Sequence, residues 1–293
     1  MKSVLLLATL CFAAHSQQLP GVIDIHAHAD PDSVPRSIDA IDLAKLAKSR
    51  GMRGLVLKNH YEPTASLAYI VRKEVPGIEI FGGIDLNRSV GGVNPAAIER
   101  MVMDKGGWGR VVWFPTFDAE NQVRFSKETR PYVSVSRNGE LLPEAKEVIA
   151  LAAKHHLLLE TGHSSAAEGL MIVAEAARRR VEHIVVTHAM LAPVHMTSAQ
   201  MRQAARMGAM IEFVYNGLIG KGKEFDPSDY VSAIRAVSPA SCILSSDMGQ
   251  VGNPLHPDGL AAFFAALRGH GITQAEIDLM SKTNPARALG LAP

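Results

Sequence analysis

The chain has few cysteines and no excess of charge. Its 293 residues include two cysteines, Cys11 and Cys242, and 30 basic residues against 29 acidic ones, for a formal net charge of +1 at pH 7. The sequence also lacks long runs of one sign, which would indicate a nucleic acid or an anionic membrane as partner. We therefore expect a small-molecule substrate and no nucleic-acid partner. The sequence does not decide the oligomeric state, and a homo-oligomer is one of the alternatives.

Long apolar runs are also missing. No segment offers about 18 uninterrupted apolar residues, the length that a membrane-spanning helix needs. The start of the chain is instead typical of a signal peptide, with a basic Lys2, the apolar run Val4–Ala14 and a cleavage point after the small residue Ser16. We expect residues 1–16 to be removed, so that the mature protein has no membrane segment and is periplasmic or secreted. Cleavage would leave Cys242 as the single cysteine, which excludes an internal disulfide.

Short β-branched or apolar runs bounded by turn residues recur eight times along the rest of the chain. Most are followed by an amphipathic stretch that predicts a helix, which is the pattern of parallel βα units. Eight such units predict an α/β fold, a (β/α)8 TIM barrel, formed by a single domain over residues 17–293. The predicted strands are Val22–Ala29, Gly54–His60, Ile78–Asp85, Arg110–Thr116, His156–His163, His183–His188, Met210–Tyr215 and Cys242–Asp247.

A glycine-rich phosphate loop is absent after the first predicted strand, where an open doubly wound sheet, the alternative fold, usually carries one. The sequence His26-Ala27-His28-Ala29-Asp30 stands there instead. One connection is longer than the others, because it includes the polar stretch Ala119–Leu142. A connection of that length over a barrel mouth predicts a lid or a substrate-shaping element.

Histidines are the commonest polar residues at the ends of the predicted strands. His26 and His28 lie two residues apart on one strand, so their side chains point the same way. His163, His188 and Asp247 end three further strands, and the carboxyl ends of barrel strands form the active-site face. Imidazole nitrogens and carboxylates are the ligands that zinc and similar metals take. The sequence therefore predicts that these five residues surround a divalent metal centre of one or two ions, with zinc as the preferred metal.

The motifs around these residues resemble the metal-binding strands of the amidohydrolase superfamily, closest in style to its phosphotriesterase-like branch. The resemblance implies that His26, His28 and Asp247 hold one metal. It also implies that His163 and His188 hold a second metal or orient the substrate, and that Asp247 acts in catalysis by taking the proton of the attacking water. The motifs are Val22-Ile-Asp-Ile-His-Ala-His28, Glu160-Thr-Gly-His163, Val186-Thr-His188, Leu244-Ser-Ser-Asp247 and the tail Thr283-Asn-Pro-Ala-Arg-Ala-Leu-Gly-Leu291.

The fourth predicted strand departs from the family pattern. Two-metal members usually place a carboxylated lysine or a glutamate there as a bridge, whereas this strand reads Val111-Val-Trp-Phe-Pro-Thr116. A single metal, a bridge of water alone or a ligand from elsewhere are the alternatives. Lys58 is the leading replacement ligand because it shares a face of the second strand with His60. Substrate binding is the alternative role for either side chain. An ordinary salt bridge is a further alternative for Lys58. Glu160 lies three residues before His163, so alternation turns it away from the mouth unless the strand bulges.

Hydrolysis of an ester, lactone, amide or phosphoester by a metal-activated water is the leading functional hypothesis. Lys58 and the arginines of the long connection, Arg124, Arg130 and Arg137, hint at an acidic substrate. A metal-dependent decarboxylase is the alternative, because the resemblance implies that a one-metal site without a bridge can remove a carboxylate. A non-catalytic metal-binding barrel would have a closed coordination shell, whereas ligands spread around an open mouth favour catalysis.

Overall fold

The structure is a computed structural model that describes residues 17–292, and the signal peptide expected over residues 1–16 lies outside the described residues. Eight parallel strands follow one another in a single sheet, in chain order. Each strand coincides with one of the eight predicted runs to within a few residues. The strands are β1 (Ile23–Ala27), β2 (Gly54–Leu57), β3 (Glu79–Asp85), β4 (Gly109–Trp113), β5 (Leu158–Glu160), β6 (His183–Val186), β7 (Met210–Val214) and β8 (Cys242–Ser245).

The sheet closes on itself where β1 meets the segment that follows β8. The backbone N–H of Asp247 donates to the carbonyl of His26 at 3.0 Å, and that of His28 donates to the carbonyl of Met248 at 3.0 Å. This closure confirms the predicted (β/α)8 TIM barrel. It also places the ends of the first and last strands side by side at one rim of the barrel.

Helices separate the strands and pack around the barrel. Their starts follow the sequence signals for helix initiation, with proline in the first turn at Pro95, Pro143 and Pro227, and with a capping box formed by Ser165 and Glu168. The helices are α1 (Ala40–Ser49), α2 (Ala65–Glu74), α3 (Pro95–Val102), α4 (Glu120–Phe125), α5 (Pro143–Lys154), α6 (Ala166–Arg178), α7 (Ser198–Arg206), α8 (Pro227–Val237), α9 (His256–Gly269), α10 (Gln274–Asp278) and α11 (Asn284–Ala288).

The barrel interior holds a hydrophobic cluster that is separate from the layer between strands and helices. Its members include Ile23, Phe81, Trp113 and Ile243, one from each of four strands. The closing segment packs against the same cluster through Leu289 and helix α11, which contacts β1, β6 and β8. The tail therefore closes the amino-terminal end of the barrel and leaves the carboxyl end as the open mouth.

The stretch Ala119–Leu142, predicted as a long polar connection, has regular structure of its own. It contains helix α4 and a short antiparallel hairpin formed by Ser136–Arg137 and Glu140–Leu141. Gln122 of α4 lines the cavity at the barrel mouth, so this segment does shape the opening. Across residues 17–292, no helix has the length and apolar character needed to cross a bilayer.

Candidate metal centre

Strand β1 brings its two histidines into the barrel mouth by a local irregularity. Ile25 belongs to the inner hydrophobic cluster, so strict alternation would turn His26 outward. The ladder between β1 and β2 is irregular between Asp24 and Ala27, which changes the phase of alternation. His26 and His28 consequently both line the cavity at the carboxyl end of the barrel.

Two further residues of the mouth depend on left-handed backbone conformations. Asp247 has a φ of 50° and His188 a φ of 25°, values that residues other than glycine rarely adopt. Such strain persists where the surrounding structure over-determines it, and it clusters at functional sites. Both side chains are thereby turned to the cavity just beyond the last residues of β8 and β6.

His26, His28 and Asp247 form a compact group of potential metal ligands. Oδ1 of Asp247 lies 3.4 Å from Nε2 of His26 and 3.2 Å from Nε2 of His28. Nitrogen and oxygen ligands about 2.1 Å from a tetrahedral zinc ion would lie about 3.4 Å apart. The three ligand atoms, which lie within 4.8 Å of one another, therefore fit the donor set and spacing of a divalent metal site.

The second ring nitrogen of each histidine has its own acceptor. Nδ1 of His26 lies 3.2 Å from Oε1 of Glu212, and Nδ1 of His28 lies 2.8 Å from the carbonyl oxygen of Lys58. Because neither oxygen can donate, each Nδ1 carries the proton and donates it, which leaves Nε2 facing Asp247 as the coordinating atom. This arrangement, in which a carboxylate or carbonyl orients a histidine, is typical of metal ligands.

Charge in the site is dominated by the carboxylates. Burial disfavours a charged His26, but Asp247 and Glu212 outweigh it and raise the pKa of His26 to about 9. Burial likewise opposes the ionised form of Asp247, and the neighbouring imidazoles His26 and His28 nevertheless hold its pKa well below the usual range. The site thus prefers positive charge at Nε2 of His26, and either a proton or a metal ion satisfies that preference.

His163, His188 and His60 line the same cavity, which has a volume of about 320 Å³. Burial is the main cause that lowers the pKa of all three imidazoles, so they are neutral. Nδ1 of His163 donates to Oε1 of Gln122 at 2.8 Å, and the ring of His60 stacks on Phe117 with 3.8 Å between centroids. These three histidines therefore surround the group formed by His26, His28 and Asp247, and ligation of a second metal by His163 and His188 stays a prediction.

Lys58 is completely buried and belongs to an ion pair. Its Nζ lies 3.0 Å from Oδ2 of Asp85 and 5.2 Å from the centroid of the Trp113 ring. Trp113 itself lies in the inner cluster, on the strand where two-metal members of the amidohydrolase superfamily carry the bridging ligand. The structure thus gives Lys58 the salt bridge that was one of its predicted roles, and its ligation of a metal stays a prediction.

Glu212 was missed by the sequence analysis, and the orientation expected for Glu160 is wrong. Leu158 lies in the inner cluster, so Glu160, two residues later on β5, also faces inward. The chain can still present His163 to the mouth because Gly162 adopts a φ of 58°, where a Cβ would lie 2.1 Å from the carbonyl oxygen of Phe114. Burial and then Glu212 raise the pKa of Glu160 to about 8.

The arginines of the long connection lie outside the cavity. Arg124 pairs with Glu120, and Arg130 pairs with Asp118 and Glu128. Arg137 lines a separate surface depression. The arginine that does line the metal-site cavity is Arg36, which the sequence analysis did not single out.

A family model described as a family of unknown function (DUF6282) matches residues 21–212, about two thirds of the chain. None of the curated proteins compared with the chain matches it in sequence.

Solved structures of enzymes share the barrel at low sequence identity. An organophosphorus hydrolase variant from Deinococcus radiodurans is 15% identical, with a TM-score of 0.63 over 94% of this chain and 98% of that one. A zinc-bound amidohydrolase from Burkholderia multivorans is 14% identical, with a TM-score of 0.61 over 92% and 99%. A 2,6-dihydroxybenzoate decarboxylase from Rhizobium is 13% identical, with a TM-score of 0.59 over 93% and 99%. The resemblance to the amidohydrolase superfamily is thereby confirmed at the level of the fold.

Proposed function

Because the chain belongs to the family of unknown function DUF6282 and has an amidohydrolase barrel, we propose that it is a metal-dependent hydrolase of small molecules. His26, His28 and Asp247 hold the metal in this proposal, with zinc as the preferred ion. The bond that it cleaves is an ester, lactone, amide or phosphoester bond. The signal peptide expected over residues 1–16 would deliver the enzyme to the periplasm or the medium.

One observation carries the proposal. The Nε2 atoms of His26 and His28 converge on Oδ1 of Asp247 at 3.4 and 3.2 Å, at the rim where barrel enzymes place their active sites. Glu212 holds Nδ1 of His26, and the Lys58 carbonyl holds Nδ1 of His28. Both imidazoles also line an open cavity. A purely structural histidine pair would not need such a cavity.

A divalent metal bound there would supply Lewis acidity, polarising the substrate and lowering the pKa of a water molecule. Asp247, held ionised by its imidazole neighbours, accepts the proton of the attacking water and passes it to the leaving group. Oδ2 of Asp247 is oriented by the side-chain amide of Asn216, whose Nδ2 donates to it at 3.2 Å. The neutral imidazoles of His163 and His188 donate or accept hydrogen bonds that orient the substrate.

The decarboxylase alternative is favoured by one specific observation. No carboxylate or carboxylated lysine stands at the bridging level among the described residues of β4, where Trp113 fills the space and Lys58 is paired with Asp85. A site with one metal and no bridge suits removal of a carboxylate as well as addition of water. The products distinguish the two, because hydrolysis yields an acid with an alcohol or amine, and decarboxylation yields carbon dioxide.

The test is a panel of one ester, one lactone, one anilide and one phosphotriester, each assayed for release of acid and of leaving group. The protein is assayed as purified, after treatment with a chelator, and after reloading with Zn²⁺. We expect turnover of at least one class that chelation abolishes and Zn²⁺ restores. Carbon dioxide release from hydroxybenzoates without any hydrolysis would favour the alternative, and turnover that survives chelation would contradict both.

Variants separate the metal site from general damage to the fold. Asp247→Asn is expected to lower turnover at least about a hundredfold, because it removes the proton acceptor together with a ligand charge. Arg124→Gln is the matched control, since Arg124 is 65% exposed and lies outside the cavity. Equal losses in the two variants would point to an indirect effect and contradict the assignment.

A further inference from the structure

Arg36 is a buried arginine in the wall of the metal-site cavity, and the proposed chemistry does not use it. Its side chain is only 3% exposed, yet it lines the cavity together with His28 and Gln250. Arginine is almost never buried to this extent without partners for its charge and its N–H groups. The arrangement of those partners therefore indicates what the guanidinium does.

Asp32 neutralises Arg36 but occupies only one edge of the guanidinium. Nε donates to Oδ2 of Asp32 at 2.7 Å, and Nη2 lies 2.7 Å from the same oxygen without the alignment of a hydrogen bond. Nη2 is buried and has no hydrogen-bond partner between residues 17 and 292. Because a guanidinium has five N–H donors in a planar fork, the edge formed by Nη1 and Nη2 keeps donors that no group of the described residues satisfies.

The backbone holds Arg36 beside a proposed metal ligand. Arg36 forms an antiparallel bridge with Gln250, and the N–H of Ser37 donates to the carbonyl of Gly249 at 2.9 Å. Nε2 of Gln250 in turn donates to the carbonyl oxygen of Asp247 at 2.9 Å. The guanidinium is thus preorganised next to the reaction site, which lowers the entropic cost of binding a ligand there.

We propose that Arg36 binds a carboxylate of the substrate that is not itself transformed, an inference that rests on the proposed function. The free edge of a guanidinium matches the two oxygens of a carboxylate. A monoanion is favoured over a phosphate dianion, because Asp32 already neutralises Arg36, and Asp247 and Glu224 also face the cavity. The stacked rings of His60 and Phe117 offer an apolar surface to the rest of the molecule, so the substrate class is a small carboxylate with an apolar or aromatic body.

The test compares binding of benzoate, of its neutral analogue benzamide and of phenyl phosphate by isothermal titration calorimetry. The titrations use the protein as purified and the chelator-treated protein, because a carboxylate can also bind a metal ion. In both forms we expect benzoate to bind at least tenfold more tightly than benzamide and phenyl phosphate. Equal affinities for benzoate and benzamide, tighter binding of phenyl phosphate, or no binding of benzoate would overturn the inference.

Variants identify the residue responsible. In Asp32→Asn/Arg36→Gln both charges are removed, so no unpaired carboxylate is left buried, and we expect the preference for benzoate to disappear. Arg36→Lys keeps the charge without the fork and should retain less than a tenth of the affinity, whereas Arg124→Gln should bind benzoate as the wild type does. A preference that survives in the double variant, with an unchanged melting temperature, overturns the inference. Because binding is measured without turnover, the benzoate affinities could still be interpreted if the proposed hydrolysis were not observed.

Discussion

Glu212 accepts a hydrogen bond from Nδ1 of His26 at 3.2 Å, although 186 residues separate the two in the chain. Oε2 of the same carboxylate accepts the backbone N–H of His188 at 2.8 Å. One buried carboxylate on β7 thus fixes a proposed metal ligand on β1 and a left-handed residue that follows β6. Glu212 is a positioning residue of the site, since it acts through the groups that it orients.

Replacement of Glu212 by glutamine should weaken metal binding without unfolding the protein. Glutamine keeps the shape and one acceptor but loses the charge that orients His26, so the Kd for Zn²⁺ is expected to rise about 10- to 100-fold. Competition with a fluorescent zinc chelator measures the change. Glu224→Gln is the control, because Glu224 also lines the cavity but contacts Ala192 and His195 rather than a ligand. Unchanged affinity in Glu212→Gln would refute the positioning role.

Lys58→Met should destabilise the protein and leave its metal content unaltered. Removing the lysine leaves the charge of Asp85 buried without a partner, and breaking a buried pair in this way costs about 3–5 kcal/mol. Urea denaturation measures the loss, and Lys58→Met/Asp85→Asn should recover part of it because no lone charge remains. If the metal content fell from two ions to one or none in Lys58→Met, the lysine would be a bridging ligand instead.

The fold could be predicted because a parallel barrel requires a repeated pattern in the sequence. Each strand is buried on both faces and reads as an apolar run, and each ends where a polar residue enters the mouth. That pattern located all eight strands. It also located His26, His28 and Asp247, whose side chains the structure brings together.

The remainder of the site could not be predicted because it depends on local departures from alternation and on distant partners. Glu160 faces inward together with His163 only because Gly162 adopts a left-handed conformation. Glu212 was a single carboxylate in an apolar strand, and its partner lies on the first strand of the barrel. A buried charge in an otherwise apolar strand was the signal that could have identified it.

Acid should weaken two ion pairs on the helices in a predictable direction. Hydrogen bonds from Arg178 and Arg235 lower the pKa values of Glu175 and Glu276, respectively, to about 2, below the usual 4.5. A depressed pKa contributes stability above the unfolded value, and that contribution is lost as the pH falls from 4.5 towards 2.

The double variant Glu175→Gln/Glu276→Gln tests this. Its deficit in unfolding free energy relative to the wild type, measured in urea, should be largest at pH 7 and should shrink between pH 4.5 and pH 3. A deficit that stays constant over that range would mean that the two carboxylates do not contribute through their charge.

Phe117 should contribute to substrate binding rather than to metal binding. Its ring stacks on His60 inside the cavity, and loss of an aromatic pair costs about 0.5–1.5 kcal/mol. For a 4-nitrophenyl ester we expect Phe117→Ala to raise KM about 2- to 10-fold. Phe125→Ala, a change at a ring that is 52% exposed and outside the cavity, should leave KM as it is. Equal KM values in the two variants would contradict the role of Phe117.

The most direct test of the metal-dependent account is the metal content per chain, measured by mass spectrometry on protein purified without chelator. We predict about one divalent metal ion, mainly zinc, in the wild type and in Arg124→Gln. We predict almost none in His28→Asn/Asp247→Asn, with the barrel still folded by circular dichroism. A folded wild-type protein that binds no metal, even after incubation with Zn²⁺, would contradict the central claim.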